Sequence, residues 1–217
     1  MQVANLAGLP TNALLTDMNQ VLGHSVGNAL EMLEAIDYLK CSYQDPRLLE
    51  ITLELGAEML VLGKLASSLD NAREQLLTQL NNGNAAKRFA LMVQALGGPA
   101  DLMQNPHQYL TAANTVIEVK APHSAWVASM QTRDIGILLI ELGGGRRKAS
   151  DTIDHSVGFT GLPAVGVRLE QGQVFAKVHA TSPAQAQEMA QRLLALYQWS
   201  NTPVATTPAI LEKITGV

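Results

Sequence analysis

The segment ALLTDMNQVLGHSVGNALEMLEAI, Ala13 to Ile36, decides how the first half of this chain is read. Three apolar residues, Ala13 to Leu15, read as a short buried strand. A loop follows over Asn19–Gly27, where Gly23 and Gly27 let the backbone fold tightly and aim carbonyls inward. Asn28 is placed to cap the next helix, with Glu31 three residues on, as in a capping box. Ala29, Met32, Leu33, Ile36 and Leu39 share one helical face, while Glu31, Glu34 and Asp37 lie away from it.

The loop also carries chemistry. Backbone oxygens with one carboxylate, Glu34, form a hard-cation donor set. Its single formal negative charge suits a monovalent ion better than a divalent one. The plainer alternative is a glycine loop before a surface helix, with Glu34 solvated. Spacing alone leaves both open.

Working outward, the first half is strongly helical. A helix-like piece and a Gly8-Leu9-Pro10 break precede the strand. Asp45-Pro46 opens a helix with proline in its first turn. LLEITLELGAEMLVLGKLA is apolar around most of its circumference and predicts a central, buried helix. Ser68 caps the next, which runs to about Leu80 and ends at Asn81-Asn82-Gly83. NAAKRFALMVQALGG predicts one more helix, closed by glycine.

The character changes near residues 99–114. Pro99 to Leu110 reads as a loop or short helix. TVIEVKAP and SAWVASMQ predict two strands around a turn at Pro122-His123. TRDIGILLIELGGGRRKASDTID predicts a helix stopped by a glycine cluster. In AVGVRLEQGQVFAKVHA, alternation at Val165, Val167, Leu169 and then Val174, Ala176, Val178 predicts a hairpin turning at Glu170–Gln173 on Gly172. Ser182-Pro183-Ala184-Gln185 caps a last helix to about Tyr197. A strongly helical first half is thus followed by a compact α+β unit, in one large domain or two small ones.

Composition narrows the function. With 47% hydrophobic and 16% charged residues the chain is ordinary for a globular protein. A net charge of −4 with no dense Lys/Arg block offers no basic field for nucleic acid. No apolar run is long enough to span a membrane, and the first twenty residues lack a signal-peptide pattern. A lone cysteine, Cys41, cannot close an internal disulfide, so a cytoplasmic protein is the simplest reading. His24, His107, His123, His155 and His179 show no zinc-ligand spacing. Asp151 and Asp154 invite a carboxylate-dyad reading, against which turn and cap duty stands as the simpler one. Trp126 and Trp199 are too isolated in sequence to suggest a stacking platform. GGGRRKAS, Gly143–Ser150, offers consecutive backbone N–H groups and arginines to an anion. It follows a helix rather than opening one, so Gly143 reads first as a helix stop. A lipoyl-like carrier is set aside because the tip Glu170–Gln173 has no lysine.

Three segments resemble one family. ALLTDMNQVLGHSVGNALEMLEAI, MQTRDIGILLIELGGGRRKASDTIDHSVGF and VGVRLEQGQVFAKVHA are similar, in order and spacing, to the thymidine phosphorylase / pyrimidine-nucleoside phosphorylase family, C-terminal half only. The resemblance implies a central α/β (glycosyltransferase-like) domain whose later portion is residues 1–105. Residues 106–217 would then be the family's C-terminal α+β domain. It implies phosphorolysis of thymidine to thymine and 2-deoxyribose 1-phosphate, with thymidine-versus-uridine preference set mostly elsewhere.

By position, the resemblance implies a potassium or similar monovalent ion on the backbone oxygens of Leu22 and Ser25 and the carboxylate of Glu34. It places Thr11 near a base-pocket contact and calls for no organic cofactor. The family's KHSTGG-like phosphate loop and its base-gripping Arg/Ser/Lys set have no counterpart here. No catalytic residue is therefore expected in this chain. The expectation is an incomplete piece, inactive alone, whether engineered, proteolytic or from a split reading frame. Its partner would be the missing N-terminal segment or a second polypeptide, and the family's homodimer interface would be largely absent. A scaffold module docking onto a separate N-terminal polypeptide is the alternative.

Overall fold

The computed structural model describes residues 1–216. Mixed helices and antiparallel sheets fall into two compact units. Unit 1 is Met1–Asp17, Asp37–Leu91 and Thr207–Val217; unit 2 is Met18–Ile36 and Met92–Thr206.

In unit 1, helix α1 (Gln2–Leu6) precedes strand β1 (Ala13–Thr16), which pairs antiparallel with β8 (Ile210–Ile214) in a two-stranded sheet. β1 is only half buried and Leu15 is exposed, so the expected buried strand is an edge here. Helix α3 (Pro46–Leu62) starts where Asp45 accepts from the N–H groups of Arg47 and Leu48, with proline in its first turn. Helix α4 (Leu69–Asn81) is capped by Ser68, which accepts from Asn71 N. Arg73 joins the two through Glu54 and also pairs with Asp70. The expected burial of α3 is not realised. Only Ile51, Ala57 and Glu58 are buried along it, and Met59 is 73% exposed. An all-round apolar helix needs neighbours on every side, and α4 covers one.

Two polar clusters close unit 1. Asp17 pairs with Arg47 at 3.1 Å and accepts from Thr207 Oγ1 at 3.1 Å. Glu58, buried in α3, pairs with Lys213 of β8 and accepts from Asn12 Nδ2 at 2.8 Å. Burial of Glu58 opposes its ionisation. The hydrogen bonds from Lys213 and Asn12, with the charges of Lys213 and Arg73, nonetheless hold its pKa below the usual carboxylate value.

Unit 2 contains the core. Helix α2 (Asn28–Leu39) begins in it, and helix α5 (Asn84–Ala95) ends in it. After the short α6 (Pro106–Tyr109) come β2 (Thr115–Lys120), β3 (Ala125–Met130), α7 (Thr132–Leu142), β4 (Gly158–Thr160), β5 (Arg168–Leu169), β6 (Val174–Ala180), α8 (Pro183–Ala195) and β7 (Tyr197–Ser200). The sheets have the orders β2-β6-β4 and β5-β3-β7.

This pairing corrects both expected hairpins. β2 pairs with β6 and β3 with β5, so β2 does not pair with β3, nor β5 with β6. The turn at Glu170–Gln173 is present: Gln173 N donates to Glu170 O, and Gly172 has φ +80°. It serves as a corner. Two chain stretches, 115–130 and 168–180, run antiparallel as one ribbon that bends from one sheet into the other. Ala121 bonds residues 172 and 173 at the bend. Period-2 alternation identified the strands correctly but carries no information on which neighbour each takes.

Val127, Phe159, Val178 and Leu193 are fully buried in this core. Phe175 meets Tyr197 edge-on at 4.6 Å and Trp199 at 5.6 Å, so Trp199, isolated in sequence, belongs to an aromatic cluster. α7 stops at Gly143, φ +104°, as the glycine cluster predicts. Ser182 caps α8 by accepting from Gln185 N.

Candidate functional site

The loop Asn19–Gly27 is pinned inside unit 2. Val26 and Phe159 exchange backbone hydrogen bonds of 2.9 and 2.8 Å, Leu162 N donates to His24 O, and Val165 N donates to the side chain of Gln20. Gly27 and Gly158 sit where these strands approach most closely. A Cβ on Gly158 would lie 2.1 Å from Val26 O. Helix α2 then starts at Asn28 itself, the residue expected to cap it. Gly27 O accepts from Glu31 N, and Glu31 Oε1 accepts from Gly27 N at 2.9 Å. Asn28, read as the cap, instead donates Nδ2 to Gly144 O at 3.0 Å. It ties α2 to the glycine cluster after α7.

Glu34 is also not where the helical wheel put it. It is buried, and its Oε1 accepts from His24 N at 2.9 Å. The His24 ring lies nearby, with Nε2 at 3.8 Å from Oε1 and Nδ1 at 3.2 Å from Ser25 Oγ. Gly23, φ +75°, is what admits the carboxylate: a Cβ there would stand 2.1 Å from Glu34 Oε1. A wheel averages over the helix, and this loop folds back over the face that was assigned to solvent.

The donor set fits a hard monovalent cation in kind. The carbonyls of His24, Val26 and Gly27 accept hydrogen bonds from Leu162, Phe159 and Glu31. Loop carbonyls and one buried carboxylate in a loop shaped by glycine are oxygen donors that carry a single negative charge. No group of three or more His, Cys, Asp or Glu side chains that could hold a metal ion is gathered among the described residues.

The other sequence-marked groups have local duties. Thr11, in unit 1, donates Oγ1 to Leu9 O, and its backbone is held by Asn5. The arginine loop after α7 forms a small nest, and its occupant is internal: Asp151 Oδ2 accepts from Arg147 N and Lys148 N at 3.0 and 2.9 Å. Asp154 accepts from Ser156 N and Oγ. The two aspartates therefore order turns and do not form a dyad. His179 Nε2 lies 2.9 Å from Thr160 Oγ1. Burial, and then the Lys177 charge, push its pKa down.

A cleft of about 870 Å³ in unit 2 gave no sequence signal. The first turn of α2, Tyr109–Thr111 and Thr152–Ser156 line it, three segments remote in sequence that only the tertiary fold brings together. Tyr109 donates to Asp101, which raises the pKa of the phenol and lowers that of the acid.

A family model for the pyrimidine nucleoside phosphorylase C-terminal domain matches residues 126–200, which lie wholly in unit 2. A curated relative, the thymidine phosphorylase of Agrobacterium fabrum, is 40% identical over 215 residues, covering 99% of this chain. The chain matches the C-terminal half of the pyrimidine-nucleoside phosphorylase family. It spans about half the length of the curated relative, 49% of it. The matched residues run from β3 through α7 and α8 to β7. No helix of the described residues is long and apolar enough to cross a membrane.

Proposed function

We propose that this chain forms part of a cytoplasmic thymidine phosphorylase. The 40% identity to such an enzyme along 99% of the chain carries this reading. In the reaction, phosphate attacks the anomeric carbon of thymidine as the bond to the base breaks. Thymine and 2-deoxyribose 1-phosphate result. Negative charge developing on the departing base has to be met by preorganised donors. Residues 1–217 contain no KHSTGG-like loop and no Arg/Ser/Lys base-gripping set. On this reading those donors come from an N-terminal polypeptide, in the same protein or a separate one, and residues 1–217 alone do not turn over. Residues 1–105 are assigned to the later portion of the family's central α/β domain and 106–217 to its C-terminal domain.

Within that enzyme, Leu22 O, Ser25 O and the Glu34 carboxylate are proposed to hold potassium or a similar monovalent cation. A bound ion would supply positive charge between these loop oxygens. Glu34 in turn is held by His24 N–H and by the space at Gly23. Thr11 is proposed as a minor contact to the substrate side, its hydroxyl already committed to Leu9 O.

The test is release of thymine from thymidine and phosphate. The expected result is no turnover by residues 1–217 and turnover after the N-terminal half is added. Turnover by residues 1–217 alone, with contamination excluded, defeats the incompleteness claim. Binding of the N-terminal half without any turnover favours a scaffold module instead.

A further inference from the structure

Gln20, His24 and Val26 of the glycine loop are all held by one remote stretch of chain, residues 158–165. Gln20, 6% exposed, accepts the Val165 N–H on its side-chain oxygen at 3.1 Å. His24 O accepts from Leu162 N at 3.0 Å, and Val26 exchanges both backbone hydrogen bonds with Phe159. These anchors alternate along the chain with the proposed cation donors. Leu22 lies between the first and the second, and Ser25 between the second and the third. Loop and stretch both belong to unit 2.

The stretch is itself fixed in the core. Phe159 and Leu162 are buried, and Phe159 and Thr160 pair with Val178 and Lys177 of β6. Gly158 lets its backbone come against Val26 with no side chain between them. Carbonyls on an irregular loop converge on one point only where their spacing is imposed by what the loop is bonded to. Groups that orient the donors of an ion without touching it commonly govern its affinity.

We infer that residues 158–165 are the template of the cation loop, and that Gln20 is the positioning residue joining the two through its side chain. The inference rests on the proposed cation site. Gln20 is the anchor made by a side chain, so it can be removed without touching the main chain. The template lies within residues 126–200, matched by the C-terminal domain model, so a loop of the first half is set by the second. Cation binding and order in residues 158–165 are then linked, and fixing either favours the other.

The experiment is titration with thallous ion, a potassium stand-in, followed by thallium NMR. It is run on the 217-residue chain, alone and with a polypeptide spanning the unmatched half of the Agrobacterium fabrum enzyme. Gln20→Met keeps the side-chain length and deletes the acceptor, and is expected to weaken thallous binding about ten- to a hundredfold. Urea unfolding separates positioning from mere support. A merely structural Gln20 lowers the midpoint equally in potassium and in N-methylglucamine. A positioning Gln20 also shrinks the gain that potassium confers. Hydrogen exchange of the parent needs no variant. Potassium is expected to slow the amides of Leu162 and Val165 at least about threefold relative to N-methylglucamine, and to leave Val178 unchanged.

Thallous binding by Gln20→Met equal to the parent's, with binding abolished in Glu34→Gln, overturns the inference and leaves the cation site standing without its template. If Gln20→Met does not fold, unchanged exchange at Leu162 and Val165 in potassium overturns it instead. No saturable thallous binding by the parent, alone or with the added half, removes the cation site and this inference with it.

Discussion

In residues 18–36 and 92–206, the large side chains Val127, Phe159, Phe175 and Leu193 are all at 1% exposure or less. In the other unit Leu6, Met59 and Leu65 stand at 89%, 73% and 69%. Both sets are large apolar side chains, so hydrophobicity alone does not explain the difference. Unit 2 has two three-stranded sheets and two amphipathic helices, α7 and α8, to set apolar faces against one another. Unit 1 has two strands and helices whose apolar faces exceed what those strands cover. Its cohesion leans on the polar clusters Asp17–Arg47–Thr207 and Glu58–Lys213–Asn12. Burial belongs to a packed arrangement of elements and is not a property of one segment.

The sharpest way to break this comparison is to truncate one large side chain in each unit. Phe159→Ala in unit 2 is expected to cost about 3–5 kcal/mol in urea unfolding. Met59→Ala in unit 1 should fall within about 0.5 kcal/mol of the parent. Equal losses would show that unit 1 has a packed core after all. Next in size is Glu58→Ala, which leaves Lys213 and Asn12 without their partner and is expected to cost about 1–3 kcal/mol, tempered by the partial exposure of Lys213.

The same glutamate gives a pH signature. Its folded pKa lies below the unfolded one. Its contribution is therefore complete above the ordinary carboxylate pKa and is lost as pH falls through the folded value. Glu58→Gln should flatten that acid limb for unit 1 probes and leave near-ultraviolet signals from Trp199 unchanged. Gly143→Ala is milder. The φ of +104° strains any side chain, but the Cβ meets nothing within 4 Å, so about 1 kcal/mol is expected. Smallest is His179 in unit 2. Burial and Lys177 depress its pKa, so stability present above the unfolded histidine pKa declines as pH drops through the folded one. His179→Gln should remove a slope worth under about 1 kcal/mol.

Local chemistry was the legible part of the sequence. Asp45, Ser68 and Ser182 cap the helices they were expected to cap, and Gly143 ends α7. Each of these features is decided within four residues. Strand partnership was not legible, because β2 takes β6 and β3 takes β5 across some fifty positions. Alternating valines look alike whichever neighbour they meet. At the candidate site the residue types were read correctly, but the position of Glu34 was not. Gly23 was visible as a turn, yet only the folded loop reveals that its missing side chain leaves room for a carboxylate. Strands β4, β7 and β8 went unread because they are short and show little alternation.

The pairing of β1 with β8 also sets a timetable. Asp17 and Thr207 are 190 positions apart, and joining them closes a loop whose entropic cost is roughly 5 kcal/mol. On the ribosome, everything from the glycine loop to α8 has been made before Ile210 emerges, so unit 2 can collapse first while Ala13–Thr16 waits for a mate. During that interval β1 lacks its pairing with β8, and its apolar residues are available to chaperones and wrong partners. Pulse-labelled nascent chains should show amides of Val174–Ala180 protected well before those of Ala13–Thr16. Slowing synthesis just before Ile210–Ile214 should lengthen that lag.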